Sequence, residues 1–145
     1  MSPAVEPAIL QRYADLIVEV GANVQPGQVV WVVAEPRAAP LVRLVAAAAY
    51  ARGAKFVDPW YFDPFVKRIR LERAPEDTLD FVPSWYGQRL RALGEGHGVR
   101  ISITPQVPPG LLDGLDPARA GRDALPAHKE NFDVINARTD RKSVV

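Results

Sequence analysis

The side chains best placed for chemistry in this 145-residue chain are two carboxylates that follow apolar runs. Glu35 comes directly after the run at residues 29–34, and Asp58 follows the shorter run at residues 54–57. Ligands of parallel sheets bind beyond the C-terminal ends of the strands. Glu35 and Asp58 could therefore be paired carboxylates in one cleft. The structural alternative, which we favour, is that Glu35 caps a helix N-terminus and that Asp58 ends a strand.

Two aromatic side chains follow the second apolar run, after Asp58 and Pro59. Trp60 and Tyr61 could contact a substrate, and together with Glu35 they are the residues we propose for a substrate cleft. The alternative is that Trp60, Tyr61 and Phe62 pack their loop onto the following helix or lie in an interface.

Several kinds of site are disfavoured by the residues present. The segment at residues 34–40 contains no glycine, and Glu35 would repel phosphate, so we expect no binding of NAD or ATP. The chain has no cysteine and two isolated histidines, His97 and His128, which we interpret as solvated surface residues. The residues themselves therefore indicate no catalytic group and no metal ligand.

The elements that must position these side chains follow a helix–strand–helix–strand order, which predicts an α/β domain with a three-layer, mainly parallel sheet and flanking helices. The apolar positions 9, 13, 16, 17, 20 and 24 predict an amphipathic helix over residues 7–24. In a third helix, capped by Asp63, we expect Phe65, Val66 and Ile69 to be buried, and the basic run at residues 67–70 to form a solvated face. The other predicted elements are strands at 29–34, 54–58 (ended by Pro59) and 99–103, and helices at 40–52, 84–93 and 116–136.

Length and composition indicate one ordinary globular domain, at residues 1–139, followed by a short tail. The net charge is +1, which gives no electrostatic reason to expect nucleic acid or a membrane surface as a partner. The N-terminus lacks the basic start and apolar stretch of a signal peptide, so a cytoplasmic location is the expectation.

Residues 10–138 resemble the N-terminal domain of the aminopeptidase T and aminopeptidase S family of metallo-aminopeptidases. Residues 13–17 and 21–28 carry the resemblance, and residues 40–54, 83–86 and 136–139 support it. The resemblance implies a homodimeric, two-domain hydrolase that removes N-terminal amino acids from peptides with a pair of divalent metal ions (Co, Zn or Mg). It places the metal ligands in a larger C-terminal domain, and no position of this sequence matches them.

The tail at residues 140–145 does not resemble the family, so we expect a fragment that lacks the catalytic domain and is inactive alone. An incomplete sheet would leave an unpaired edge, and self-association is expected from it. The alternative function is a stand-alone α/β module that binds a small ligand or a protein.

Overall fold

The computed structural model describes residues 6–103 and 107–123, which form two compact units. The first unit contains described residues 6–62 and 96–103, and the second contains 63–95 and 107–123. In chain order the elements are α1 (Pro7–Leu16), a π-helical turn (Ile17–Gly21), β1 (Val29–Ala34), a 3-10 turn (Pro36–Ala38), α2 (Ala39–Ala51), β2 (Phe56–Tyr61), α3 (Pro64–Arg73), a 3-10 turn (Glu76–Thr78), α4 (Ser84–Glu95) and β3 (Val99–Ser102). Residues 117–123 are also helical.

The first unit is built on a three-stranded parallel sheet in the order β2-β1-β3. The central strand β1 is a run of β-branched and aromatic residues, as expected of a strand with a neighbour on either side. On one face of the sheet Val30, Val32 and Ala34 are buried in a core that also includes residues of α1 and α2. A parallel sheet flanked by helices confirms the predicted α/β class.

The start of the sheet is fixed by contacts between the turns that precede β1 and β2. The amide of Gly27 donates to the carbonyl of Gly53 at 2.8 Å, and the amide of Lys55 donates to the carbonyl of Gln28 at 2.8 Å. Both glycines have a positive φ, 82° at Gly27 and 87° at Gly53, which glycine adopts without a steric penalty. These bonds set the parallel register in which Val29 lies opposite Phe56.

The predicted end of β2 was wrong. Pro59 was expected to end the strand, but β2 continues through Pro59 and Trp60 to Tyr61. The physical reason is the position of β2 at an edge of the sheet, where a residue without an N–H group is tolerated. Trp60 and Tyr61 are therefore strand residues and not part of a loop.

The predicted buried face of α1 was also largely wrong. Ala14, Ile17 and Val18 are buried, whereas Ile9, Tyr13, Leu16 and Val20 are exposed. The helix predicted over residues 7–24 also changes to a π-helical turn at Ile17 and ends at Gly21. Apolar residues lie on more than one side of α1, so their periodicity alone does not show which side meets the core.

The second unit begins at Asp63, which caps α3 as predicted: its carboxylate accepts from the amides of Phe65 at 2.9 Å and Val66 at 3.4 Å. The predicted burial of Phe65, Val66 and Ile69 was wrong, since all three are more than half exposed. The buried residues of α3 are Pro64 and Leu71, and Leu71 is 1% exposed.

The basic run of α3 is bonded within the second unit and does not form the solvated face that was expected. Arg70 pairs with Asp123 at 2.7 Å and also donates to the carbonyls of Thr78 and Leu79, each at 3.0 Å. Arg68 pairs with Glu72 at 2.7 Å and donates to the carbonyl of Leu111. Arginine carries several donors in a fixed fork, so one side chain can hold several loop carbonyls together.

Candidate functional site

The C-terminal edge of the sheet in the first unit is the place where an α/β fold would bind a ligand. From β1 the chain continues to β2 on one side, and β3 lies on the other side of β1. Ligands of open α/β sheets bind where the strand order changes direction in this way. At this edge the amide of Phe62 donates to the carbonyl of Ala34 at 2.7 Å, and the amide of Ile103 donates to the carbonyl of Val33 at 2.8 Å. The three strand ends are thereby held together.

Glu35 lies at this edge, directly after the central strand. It is 9% exposed, and its backbone is extended at φ −88° and ψ 158°. Its carboxylate makes no cap hydrogen bond to the 3-10 turn that follows. The Nε of Arg37 instead donates to Oε1 of Glu35 at 2.5 Å, while the Arg37 side chain remains 58% exposed. Glu35 therefore occupies the N-cap position of a 3-10 turn, as the structural alternative expected, but its side chain makes no cap hydrogen bond there.

Glu35 and Arg37 form a local ion pair at this edge. The carboxylate of Glu35 is largely buried and accepts from Nε of Arg37, so the charges of the two side chains largely offset each other. The exposed guanidinium of Arg37 carries several donors, so a carboxylate that approaches this edge has a possible partner.

The structure does not bring Asp58 together with Glu35. Asp58 lies in the middle of β2, opposite Trp31, whereas Ala34 lies opposite Tyr61. Four residue steps therefore separate the levels of Asp58 and Glu35, which is roughly 13 Å along the strands. A site of paired carboxylates is excluded by this register. The prediction that Asp58 ends its strand was wrong as well.

Trp60 contributes to an aromatic stack across the sheet. Its ring lies 5.1 Å from that of Trp31 at an interplanar angle of 31°. The guanidinium of Arg100, on β3, lies 5.1 Å from the centre of the Trp31 ring. Such contacts between tilted rings and between a cation and a ring stabilise a sheet face. Trp60 therefore has a packing contact, but with the neighbouring strand β1, whereas the packing interpretation expected the following helix or an interface.

Tyr61 is the last residue of β2 and lies level with Ala34. Successive side chains of a strand point to opposite faces, so Tyr61 points away from the face of Trp60. It is 39% exposed. Of the three residues predicted for a cleft, Glu35 and Tyr61 therefore lie at the C-terminal edge, and Trp60 lies within the sheet face.

The histidines do not contribute to this edge in the described part of the chain. His97 is exposed, as predicted, in a turn where its φ is 50°, and its carbonyl accepts from Nε2 of Gln28 at 2.9 Å. His128 lies outside the described residues. Within residues 6–103 and 107–123, no group of three His, Cys, Asp or Glu side chains could hold a metal ion.

Sequence reasoning missed Arg37 and Arg100. Arg37 carries a charge opposite to that of Glu35 two positions away, and the intervening proline favours a turn that brings the two together. The sequence therefore contained a signal for the contact between Arg37 and Glu35. Arg100 gave no signal, because its contact with Trp31 depends on the pairing of β3 with β1.

Among the described residues, no helix is both long enough and apolar enough to cross a bilayer.

Comparison with known proteins gives a consistent result. The family described as thermophilic metalloprotease (M29) matches residues 7–144. Aminopeptidase 2 of Geobacillus stearothermophilus is 40% identical over 111 residues, and aminopeptidase T of Thermus thermophilus is 39% identical over 114 residues. These matches cover 76% and 78% of this chain but 26% and 28% of the two relatives. The chain thus spans about a quarter of the length of the curated relatives it matches.

A solved structure agrees with the sequence comparison. The wild-type AmpT of Thermus thermophilus superposes with a TM-score of 0.79 at 35% sequence identity. The superposition covers 88% of this chain and 32% of the AmpT chain. The two chains therefore share sequence as well as the arrangement of strands and helices.

Proposed function

The chain belongs to the thermophilic metalloprotease (M29) family, and we propose that it is the N-terminal portion of a metal-dependent aminopeptidase that releases N-terminal amino acids from peptides. The observation that carries the proposal is the family match over residues 7–144, together with two relatives that are both named aminopeptidases.

The metal ions of such an enzyme would have to be held elsewhere than in the described residues of this chain. Those residues offer no group of three metal-binding side chains, so they do not fit a metal pair. We propose that the ligands lie in the part of the enzyme that corresponds to the unmatched three quarters of the relatives. The metal ions, whether Co, Zn or Mg, would there activate a water and polarise the peptide carbonyl.

The contribution of this chain would be to border the substrate cleft. Glu35 and Tyr61 lie at the C-terminal edge of the sheet, and the exposed guanidinium of Arg37 lies beside Glu35. A peptide substrate carries a carboxylate, which the donors of the exposed Arg37 guanidinium could bind. Trp60 would support this edge by packing on Trp31.

Two further parts of the proposal concern the whole enzyme. We propose a homodimer, as the family resemblance implies, and a cytoplasmic location. No nucleic-acid or membrane partner is proposed, because the net charge of +1 provides no electrostatic attraction to either.

A chimera tests the proposed function. This chain would replace the matching segment of Thermus thermophilus aminopeptidase T, and hydrolysis of a leucyl chromogenic substrate would be measured with added Co²⁺, Zn²⁺ or Mg²⁺. We expect metal-dependent turnover by the chimera and none by the isolated chain. A folded chimera that is inactive with all three metals would contradict the proposal. Metal-dependent turnover by the isolated chain would show that the metal site had been assigned to the wrong part of the enzyme.

The proposed cleft is tested by two variants of the same chimera. Tyr61→Ala removes an aromatic ring at the C-terminal end of β2, and Phe56→Ala removes one at the N-terminal end of the same strand, where Phe56 is 56% exposed. We expect Tyr61→Ala to raise KM severalfold and Phe56→Ala to leave it unchanged. Equal KM values for the two folded variants would remove Tyr61 from the cleft.

A further inference from the structure

The outer edge of β2 differs from an ordinary unpaired strand edge in its backbone donors. Among the described residues, β2 lies at one end of the sheet, next to β1. Successive residues of a strand direct their N–H and C=O groups to opposite sides in the plane of the sheet. The amide of Phe62, directly after β2, donates to the carbonyl of Ala34 on β1 at 2.7 Å. The even-numbered residues therefore face β1, and the outward positions of β2 are Val57, Pro59 and Tyr61.

The first outward amide is bound by a side chain of the preceding helix. The amide of Val57 donates to the hydroxyl of Tyr50, near the end of α2, at 3.0 Å. A tyrosine hydroxyl can accept as well as donate, so it satisfies a donor that an added strand would otherwise use. Because α2 connects β1 to β2, the helix that carries this hydroxyl is placed beside β2 by the crossover itself.

The second outward position has no amide to offer. Pro59 is exposed and lacks an N–H group, and proline is tolerated in a sheet where the missing N–H would face away from the neighbouring strand. Of the three outward residues, Tyr61 alone keeps an N–H that neither Tyr50 nor a proline ring takes away, and it is the last residue of the strand. The outward carbonyls remain, but a ladder needs donors as well as acceptors along its length.

We propose that Tyr50 and Pro59 together close the outer edge of β2 to the addition of another strand. An unpaired strand edge is a template for pairing with another chain, and natural sheets protect such edges, for example with prolines. The self-association expected from an incomplete sheet is thus prevented on the β2 side. Any strand that extends this sheet in the complete enzyme would then lie on the β3 side. The proposal concerns the chain itself and does not depend on aminopeptidase activity.

The growth of β-sheet aggregates by the full chain tests this closure. Tyr50→Phe removes the hydroxyl and keeps the ring, and Pro59→Val supplies an outward amide on a residue suited to strands. The matched control for the first change is Tyr13→Phe, because Tyr13 is 48% and Tyr50 49% exposed. The control for the second is Pro75→Val, at an exposed proline outside the sheet.

Thioflavin T fluorescence and light scattering follow the aggregation. We expect the double variant Tyr50→Phe/Pro59→Val to aggregate severalfold faster than the wild type, and the double control Tyr13→Phe/Pro75→Val to match the wild type. Equal rates for the two double variants would overturn the proposal. A wild type that aggregates as fast as Tyr50→Phe/Pro59→Val would also overturn it.

A destabilised variant separates edge pairing from unfolding. Val45→Ala removes methyl groups from the buried side of α2, the helix that carries Tyr50, and leaves the edge of β2 unchanged. All variants would be compared at temperatures that give equal folded fractions. We expect Val45→Ala to aggregate no faster than the wild type under these conditions. A rate equal to that of Tyr50→Phe/Pro59→Val would overturn the proposal, because loss of stability would then account for the aggregation.

Hydrogen exchange measured by NMR tests the contact on which the closure depends. The amide of Val57 should exchange severalfold faster in Tyr50→Phe than in the wild type, since its acceptor has been removed. Tyr13→Phe should leave this exchange rate unchanged. Equal exchange of the Val57 amide in Tyr50→Phe and the wild type would show that the hydroxyl does not hold this amide, and would overturn the proposal.

Discussion

Replacing Gly53 by alanine should destabilise the first unit considerably more than the same change at Gly27. Both residues have a positive φ, which costs a residue with a Cβ about 1–2 kcal/mol. Alanine also lowers the conformational entropy of the unfolded chain, which stabilises the folded state by about 0.4–1 kcal/mol at either position. The two changes therefore share a net backbone cost of about 1 kcal/mol.

The surroundings of the two glycines differ. A Cβ at Gly53 would lie 3.1 Å from Cβ and 3.2 Å from Cα of Pro26, whereas a Cβ at Gly27 would meet nothing within 4 Å. Pro26 cannot move aside freely, because Gly27, the next residue, donates its amide to the Gly53 carbonyl at 2.8 Å. Crowding of this kind costs about 1–3 kcal/mol. We expect a loss of about 2–4 kcal/mol for Gly53→Ala.

Urea titration followed by tryptophan fluorescence measures the difference. A Trp85→Phe background leaves Trp31 and Trp60, which are stacked in the first unit, as the emitters. A difference of at least about 1 kcal/mol in the free energy of unfolding is expected between the two alanine variants. Equal losses would refute the reasoning that the contact between Pro26 and Gly53 constrains the start of the sheet.

Three further changes have defined outcomes. A double-mutant cycle of Trp31→Ala and Trp60→Ala should give a coupling energy of about 0.5–1.5 kcal/mol in urea titrations, and additive losses would contradict the stacking contact. Asp63→Ala should cost about 1 kcal/mol through loss of the cap on α3, whereas Asp63→Asn should cost less. A hydrogen bond from Arg122 lowers the pKa of Asp80. The stability that this bond contributes is therefore present above the ordinary carboxyl pKa of about 4 and is lost as pH falls through the lowered pKa. Asp80→Asn should therefore match the wild type in thermal melts at the acid end and fall below it at neutral pH.

The parts of the fold that were predicted correctly are those whose signals are local. Residues 29–34 form β1 as predicted, because a continuous β-branched run between a Pro-Gly turn and a Glu-Pro turn has few alternatives. Asp63 followed by a proline specifies the start of α3 in the same way. These signals depend on neighbours in sequence and not on the tertiary arrangement.

The parts that were predicted wrongly depend on neighbours in space. A proline is expected to end a central strand but is tolerated in an edge strand. The sequence does not show that β2, which contains Pro59, lies at an edge of the sheet. The contact of Trp60 with Trp31 requires the register of β2 against β1. The exposure of Val66 and Leu16 likewise depends on which side of each helix meets other elements, which periodicity does not determine.

The segments that carry the family resemblance explain why the family could be recognised while the chemistry could not. Residues 21–28 and 40–54 hold the two turns that contact each other where β1 and β2 begin. Besides the amide bonds there, Nε of Arg52 donates to the carbonyl of Val24 at 2.9 Å. This end of the sheet is opposite the edge that carries Glu35 and Tyr61. These two segments therefore set strand register, and they identify the fold without identifying the residues that would meet a substrate. Variants of Glu35, Arg37 and Tyr61 are informative for that reason, because none of the segments that carry the resemblance contains these residues.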